Sequence, residues 1–436
     1  MNTWKQSPLS SISEWPNIGV GMSRLLVVLW GVLIGVLSLN YLYVDPGHFS
    51  GIRFTVTIVV ALIVLFLNGF QLGPIWPKGM VMVLLWLAFS FGSLLSALVN
   101  QDNLVGEIWQ MWGVPIVYFF AFPRLACRKG CLVLAWSLVL GAIPYIIVSL
   151  ANYPLITSYY KGVFTGPNAM GAMSAVFVAG GFSLLRGWIS YINLSSIAKI
   201  CYLTLVVSNF SVGILILFSS SRTSLISFFV LCTIFIASLL YDAEPRRRSW
   251  GKWLLAALLL IIGISTVFSA ITQSIGLSEM IFSKFNVTPG ISALSGREEI
   301  WKQIISEATL LGYGNDYFMD HIGRLPHNSY LAVLGTKGIM SCVTLIIFHI
   351  IALVLAIRYS AYRIRQNGYA FAPLFTVVVY LVTGMTENVG GILGDGLHSA
   401  FLTAVGILIN NFHVENQLAL KGSVTDNALP IGEKDR

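Results

Sequence analysis

Apolar residues along this chain do not alternate with polar ones at the period of a surface helix or of a half-buried strand. They come in runs of about twenty with short polar stretches between them, and such a run, coiled as a helix, spans the hydrocarbon core of a bilayer. A helix also satisfies its own backbone where no water is present. The runs predict helices near 25–44, 52–70, 79–99, 108–123, 131–150, 168–185, 200–219, 224–240, 251–271, 329–357, 370–386 and 396–412, the fourth being the shortest. The expected fold is an all-α polytopic membrane protein with about twelve transmembrane helices. A single integral membrane domain covers 1–412, and a polar, flexible tail follows over 413–436. No internal repeat is visible. No small-residue cleavage site precedes Asp45, so the first helix is expected to stay in the protein.

One gap between apolar runs is unlike the others. The segment 272–328 is long, and within it 297–309 carries Ile300, Trp301, Ile304 and Ile305 on one side, the pattern of a short amphipathic helix lying on the bilayer surface. Ser295 is placed as its N-cap, with Glu298 in the capping-box position, and Gly312 and Gly314 are expected to stop it.

Composition agrees with the pattern. Of 436 residues 56% are hydrophobic and only 10% charged, and the mean hydropathy is +0.80, which excludes a water-soluble globule. A net charge of +8 would by itself suit nucleic acid. The basic residues instead sit in short clusters between apolar runs, such as Arg246, Arg247, Arg248 and Lys252, so no nucleic-acid partner is expected and membrane lipids are. Most of the 26 Lys and Arg fall at ends that become cytoplasmic if the N-terminus is cytoplasmic. Both termini are therefore assigned to the cytoplasm of a bacterial inner membrane. The opposite loops are mostly neutral or acidic, with Asp45, Asp102 beside Glu107, and Glu387 beside Asp395. Only 272–328 keeps Lys284, Arg297, Lys302 and Arg324 on that side, which an anionic ligand would explain. The five cysteines, Cys127 and Cys131 included, lack metal-ligand spacing and serve as small apolar fillers, so neither a metal nor a cofactor is expected.

Several polar residues stand where chemistry is plausible. Arg222, in SSSRTSL between two apolar runs, is either an interfacial arginine reaching lipid headgroups or a fork for paired phosphate oxygens. Arg297, in SGREEIW at a helix start, has the same two readings. Lys302 and Arg324 are weaker substrate-binding candidates that also suit solvated loop positions. His327 and Asn328 open PHNSYLAVLGTKG after Pro326, so His327 is expected in the first turn or cap of the tenth helix, as a structural histidine or as a general base. Asn168 in FTGPNAMG either caps a helix or binds a sugar hydroxyl, and Gly171 allows close approach of another helix. His398 is a minor candidate for the same face. Tyr153, Tyr159, Tyr160 and Trp109 offer sugar-stacking faces or simply mark the membrane interface.

Taken in order, SSSRTSL, SGREEIW, LGYGND and PHNSYLAVLGTKG resemble the superfamily of O-antigen ligases and of O-antigen and exopolysaccharide polymerases, strongest over 205–345. These are GT-C-like membrane glycosyltransferases that handle glycans linked to undecaprenyl pyrophosphate. The resemblance implies metal-independent, inverting transfer on the periplasmic side. Arg222 and Arg297 would bind the donor pyrophosphate and His327 would activate the acceptor hydroxyl, with Asn328, Leu331 and Gly338 following as that motif expects. The acceptor is a lipid-linked glycan in a polymerase and lipid A core in a ligase. SGREEIW followed by LLGYGND is closer to the polymerases. A chain-length regulator is a further partner that the resemblance allows. A transporter would instead place charges near the bilayer midplane and show repeats. A non-catalytic scaffold would need no histidine opposite two arginines.

Overall fold

The computed structural model describes residues 20–42, 49–72, 77–126, 129–154, 160–189, 196–219, 221–241, 297–363, 367–387 and 395–410. Among these, every regular element is helical, and the one β-bridge, Leu42 to Phe164, is isolated. In chain order the helices are α1 (Val20–Leu37, tightening into a 3-10 turn to Tyr41), α2 (Ser50–Leu67), α3 (Pro77–Val99), α4 (Leu104–Ala126), α5 (Gly130–Asn152) and α6 (Pro167–Ile189). Then come α7 (Ser196–Ser219), α8 (Arg222–Tyr241), α9 (Arg297–Ser306), α10 (Ser329–Arg363), α11 (Gly368–Gly384) and α12 (Gly396–Asn410). Eight of them (α1–α6, α8 and α10) are long and apolar enough to cross a membrane, α11 and α12 are shorter apolar helices, and α7 holds a shorter apolar stretch, Ile200–Ile216. The chain is thus a polytopic membrane protein. These helices coincide with every expected run except 251–271, which lies outside the described residues together with 272–296, Ser295 and the tail 413–436.

Burial follows from the lack of a hydrophobic drive between helices in lipid, whose tails are as apolar as leucine, so close packing decides which helices associate. Helix α6, rich in Gly, Ala and Ser, lies in the middle and touches α5, α7, α8 and α11. Near its start, a Cβ on Gly171 would stand 2.4 Å from Ser224 Oγ, so the glycine lets the first turn of α8 sit directly against α6. That contact brings the Arg222 end of α8 to the Asn168 end of α6.

The long helix α10 is broken at Gly338, whose φ of 82° and ψ of −178° interrupt the ladder. The segment after α9 fills the break. Ile339 N–H donates to Thr309 O (2.9 Å) and Met340 N–H to Leu310 O (3.3 Å), while Tyr313 N–H donates to Gly335 O and Gly314 N–H to Thr336 O, both at 3.0 Å. Ser96 Oγ adds a bond to Thr336 O at 3.0 Å. The two chains approach so closely that a Cβ on Gly338 would stand 2.3 Å from Leu310 O. Gly312 and Gly314 therefore do not stop α9, as the sequence pattern predicts; α9 already ends at Ser306, and the glycines, at φ of 70° and 86°, shape the strip that repairs α10. A small second core of Ile304, Tyr317 and Phe318, backed by Ile300, Leu331 and Leu334, packs α9 onto the first part of α10. Ile305, expected on the apolar side, is 61% exposed.

Asp102 and Glu107 are not a solvated loop pair. Asn103 caps α4 by accepting from Val105 N–H, which places Glu107 in the first turn, buried. Lys337, the residue before the break, puts Nζ 2.7 Å from Glu107 Oε1 and 3.7 Å from Asp102 Oδ2. The short approach is an ion pair rather than an aligned hydrogen bond, and Glu107 Oε2 has no hydrogen-bond partner, so the ammonium is what compensates this carboxylate. Asp102 also accepts Asn315 N–H at 3.0 Å. Further into α4 the turns widen to π geometry over Trp109–Gly113 and Pro115–Ala121, where Pro115 has no N–H to donate, and Trp86 Nε1 takes the carbonyl of Gln110 at 2.8 Å.

Removing one member of a buried ion pair strands the other charge, at a cost of about 3–5 kcal/mol, whereas removing both costs much less. Lys337→Met is therefore expected to lower the thermal midpoint of the detergent-purified protein sharply, and Lys337→Met combined with Glu107→Gln to recover most of the loss. Equal midpoints for the single and double variants would show that the pair does not brace α10 against α4.

Candidate functional site

The chain beyond α11 turns at Met385, Thr386 and Glu387, and four other helices begin against this turn. The carbonyls at a helix end have no partner within the helix, so they attract donors. Asn328 Nδ2 donates to Met385 O (2.9 Å), Arg297 Nη1 to Thr386 O (3.4 Å) and Ser329 Oγ to Glu387 O (2.9 Å). The hydroxyls of Thr223 and Thr386 are hydrogen-bonded. The Glu387 carboxylate reaches two more helix starts: Asn168 Nδ2 donates to Oε1 (2.5 Å), and His327 Nδ1 lies 3.2 Å from Oε2.

Each donor belongs to the first residues of its helix. Asn168 is the second residue of α6, Arg222 and Thr223 are the first two of α8, Arg297 opens α9, and Ser329 opens α10. The positive ends of four helix dipoles, each equivalent to about half a charge, thus meet one carboxylate and one helix C-terminus. Ser221 caps the start of α8, its Oγ accepting Ser224 N–H (3.4 Å). Arg222 itself is half-buried.

The start of α10 differs from the expected one. Asn328 is the cap, its Oδ1 accepting from Tyr330 N–H (3.0 Å) and Leu331 N–H (3.1 Å). His327 therefore precedes the cap, in the left-handed region at φ of 48°. That conformation costs a non-glycine residue about 1–2 kcal/mol, with His among the types that tolerate it best. Two contacts hold it: the His327–Glu387 pair, and Trp301 Nε1 donating to Pro326 O at 2.9 Å. Where the carboxylate accepts this bond, the imidazole donates from Nδ1 and its lone pair falls on Nε2. The His327 side chain is 43% exposed.

Of the sequence candidates, this turn unites His327, Arg297, Asn328 and Asn168, with Arg222 at the start of the helix that Thr223 ties to it. Asn168 is the second residue of α6 rather than its cap, and its side-chain amide donates to Glu387. Lys302 and Arg324 are exposed, and no hydrogen bond or ion pair among the described residues joins either to the turn. His398 does not face the turn but bonds Tyr380 through Nδ1 at 3.0 Å, beside a second bundle pair, His349 Nδ1 with Tyr330 OH at 3.0 Å. Tyr160 is buried and offers no stacking face, while Tyr159 lies outside the described residues. Cys131 is buried 3.5 Å from the Tyr359 hydroxyl, and Cys127 is outside the described residues. Among the described residues no group of three or more His, Cys, Asp or Glu is placed to hold a metal ion.

Glu387 and Thr386 are the residues that sequence reasoning passed over. Glu387 stands in the chain only as an acidic residue after an apolar run, and its sole signal is that a carboxylate follows so directly on a helix end. Thr386 acts mainly through its backbone carbonyl, which any residue supplies. No protein-family model matches this chain, and no curated protein matches it.

Proposed function

We propose that this protein is a membrane glycosyltransferase that polymerises undecaprenyl-pyrophosphate-linked oligosaccharide repeat units, as in O-antigen or exopolysaccharide synthesis. The orientation expected from the basic residues sets the Glu387 turn on the periplasmic side of the inner membrane. What supports the reading is one observation: an imidazole hydrogen-bonded to a carboxylate lies on the same three-residue turn as Arg297 and the start of the Arg222 helix. An acceptor hydroxyl gives its proton to His327 Nε2 as its oxygen attacks the anomeric carbon. The bond from that carbon to the pyrophosphate oxygen breaks, and its electron pair leaves with the diphosphate. Arg222, Arg297 and the helix ends stabilise the charge that grows there. Glu387 holds the ring and stabilises the imidazolium that forms, while Asn168 holds Glu387. The diphosphate leaves as an anion, so one base suffices and no acid is required. Lys302 and Arg324 remain solvated charges beside the donor path.

A ligase would use the same groups with lipid A core as acceptor. Glycan analysis after deletion of the gene separates the two: loss of polymer, with single repeats still attached to core, marks the polymerase, and lipid-linked polymer with bare core marks the ligase.

Loss of a general base costs about 10²–10⁴ in rate. Purified His327→Ala protein should fall within that range in turnover of lipid-linked glycan, and Glu387→Gln should lose roughly tenfold or more while still folding, because the amide keeps the shape but weakens the brace. Normal turnover by His327→Ala would remove the base assignment. Charge-assisted hydrogen bonds contribute about 1.5–3 kcal/mol each, so Arg222→Ala and Arg297→Ala are each expected to weaken binding of undecaprenyl diphosphate by about ten- to a hundredfold. Unchanged titration curves for both variants would eliminate the pyrophosphate role.

A further inference from the structure

Beyond α9, on the strip between Arg297 and His327, three rings are stacked in the open. Tyr313 lies on Tyr317 with centroids 4.9 Å apart and planes 16° from parallel, and His321 lies on Tyr317 at 5.6 Å and 24°. Tyr317 is buried between them, whereas Tyr313 is 44% exposed and the His321 side chain 60% exposed. The stack is held rigidly from below. Glu307 accepts from the Tyr317 hydroxyl (2.7 Å) and from Gln303 Nε2 (3.0 Å), pairs with His321 Nε2 (3.3 Å), and gives its own carbonyl to the Tyr313 hydroxyl (2.7 Å). A ring stack serving only the small core beneath would be covered at both ends. Here both end rings are exposed, and Asn315, Asp316 and Asp320 of the same strip are exposed as well.

Preorganised aromatic faces edged by carboxylate and amide groups suit a sugar ring, which lays its C–H face on an aromatic plane and turns its hydroxyls to the polar rim. We infer that the Tyr313–Tyr317–His321 stack is a second glycan-binding subsite, separate from the Glu387 turn, and that it takes uncharged sugar residues. This rests on the glycan-transfer reading. The charge preference comes from the surroundings. Glu307 touches all three rings, Asp316 and Asp320 adjoin Tyr317 and His321 in the chain, and residues 297–328 carry five acidic residues (with Glu298 and Glu299) against three Lys or Arg (Arg297, Lys302 and Arg324). Hydrogen bonds from Tyr317 and Gln303, then the His321 imidazole, hold the Glu307 carboxyl below its ordinary range, so it stays ionised at neutral pH. A uronic acid would meet repulsion there. The ten residues of α9 separate Arg297 from Glu307, a span of about 15 Å at 1.5 Å per residue, so a glycan anchored by its diphosphate at Arg297 reaches the stack with its next few sugars.

The test uses the full chain in lipid nanodiscs and three probes: water-soluble polysaccharide released by mild acid from the cells that make the protein, oligogalacturonate, and undecaprenyl diphosphate. The polysaccharide is expected to bind at least tenfold more tightly than oligogalacturonate. Tyr313→Ala with His321→Ala should weaken polysaccharide binding at least tenfold and leave diphosphate binding unchanged. Polysaccharide binding unaffected by the double variant, or oligogalacturonate binding equally well, overturns the subsite. Diphosphate bound in an Arg297-dependent way with no polysaccharide bound also overturns it, while the transferase reading stands. Polysaccharide held at the stack with no diphosphate bound by the wild type leaves the subsite in place and removes the transferase reading.

Discussion

In a bilayer every backbone N–H and C=O must find a partner inside the protein, because an unpaired group in that medium costs several kcal/mol. The architecture of this chain at the Glu387 end is an answer to that constraint, met twice. The interruption of α10 at Gly338 frees backbone groups that the Thr309–Gly314 strip takes up. The carbonyls beyond α11 are taken up by Asn328, Arg297 and Ser329. Without the first repair α10 could not bend toward the Lys337–Glu107 pair. Without the second, the starts of α9 and α10 would lose their common point of attachment.

The same constraint explains how polar groups are distributed. Buried charge occurs where helices end or break, as with Glu107, Lys337 and the Glu387 turn, and each such group is matched by an opposite charge or a set of donors. The Glu387 carboxylate joins the starts of α6 and α10 through Asn168 and His327. The proposed chemistry thus draws on groups that the fold already needs for its own electrostatic balance.

Helix placement was legible in the sequence because a long apolar run forms a helix in a membrane protein, and α1 to α8 fall within a few residues of their expected bounds; eight helices, rather than the expected twelve, are long and apolar enough to cross a membrane among the described residues. Arg297, His327 and Asn328 were legible as polar residues at helix starts. The turn they share was not, because Met385, Thr386 and Glu387 are distant from all of them in the chain and bonds that use backbone carbonyls leave no mark in side-chain identity. The conformation of His327 was hidden for a related reason: a histidine before Asn-Ser allows either residue to cap, and only the pull of Glu387 and of Trp301 on Pro326 decides between them. Gly312 and Gly314 were visible as turn formers, yet a turn that ends a helix and a turn that threads a gap in another helix are written with the same letters.

Helix α9 is joined to the segment before α10 by the Trp301–Pro326 bond and by the core of Ile304, Tyr317 and Phe318. Arg297 and His327, though thirty residues apart, therefore belong to one rigid body, like the two jaws of a fixed-gap gauge. Any hinge motion at this end of the molecule must carry both jaws together, so the spacing between the two residues is set by the fold and not by what lies against them.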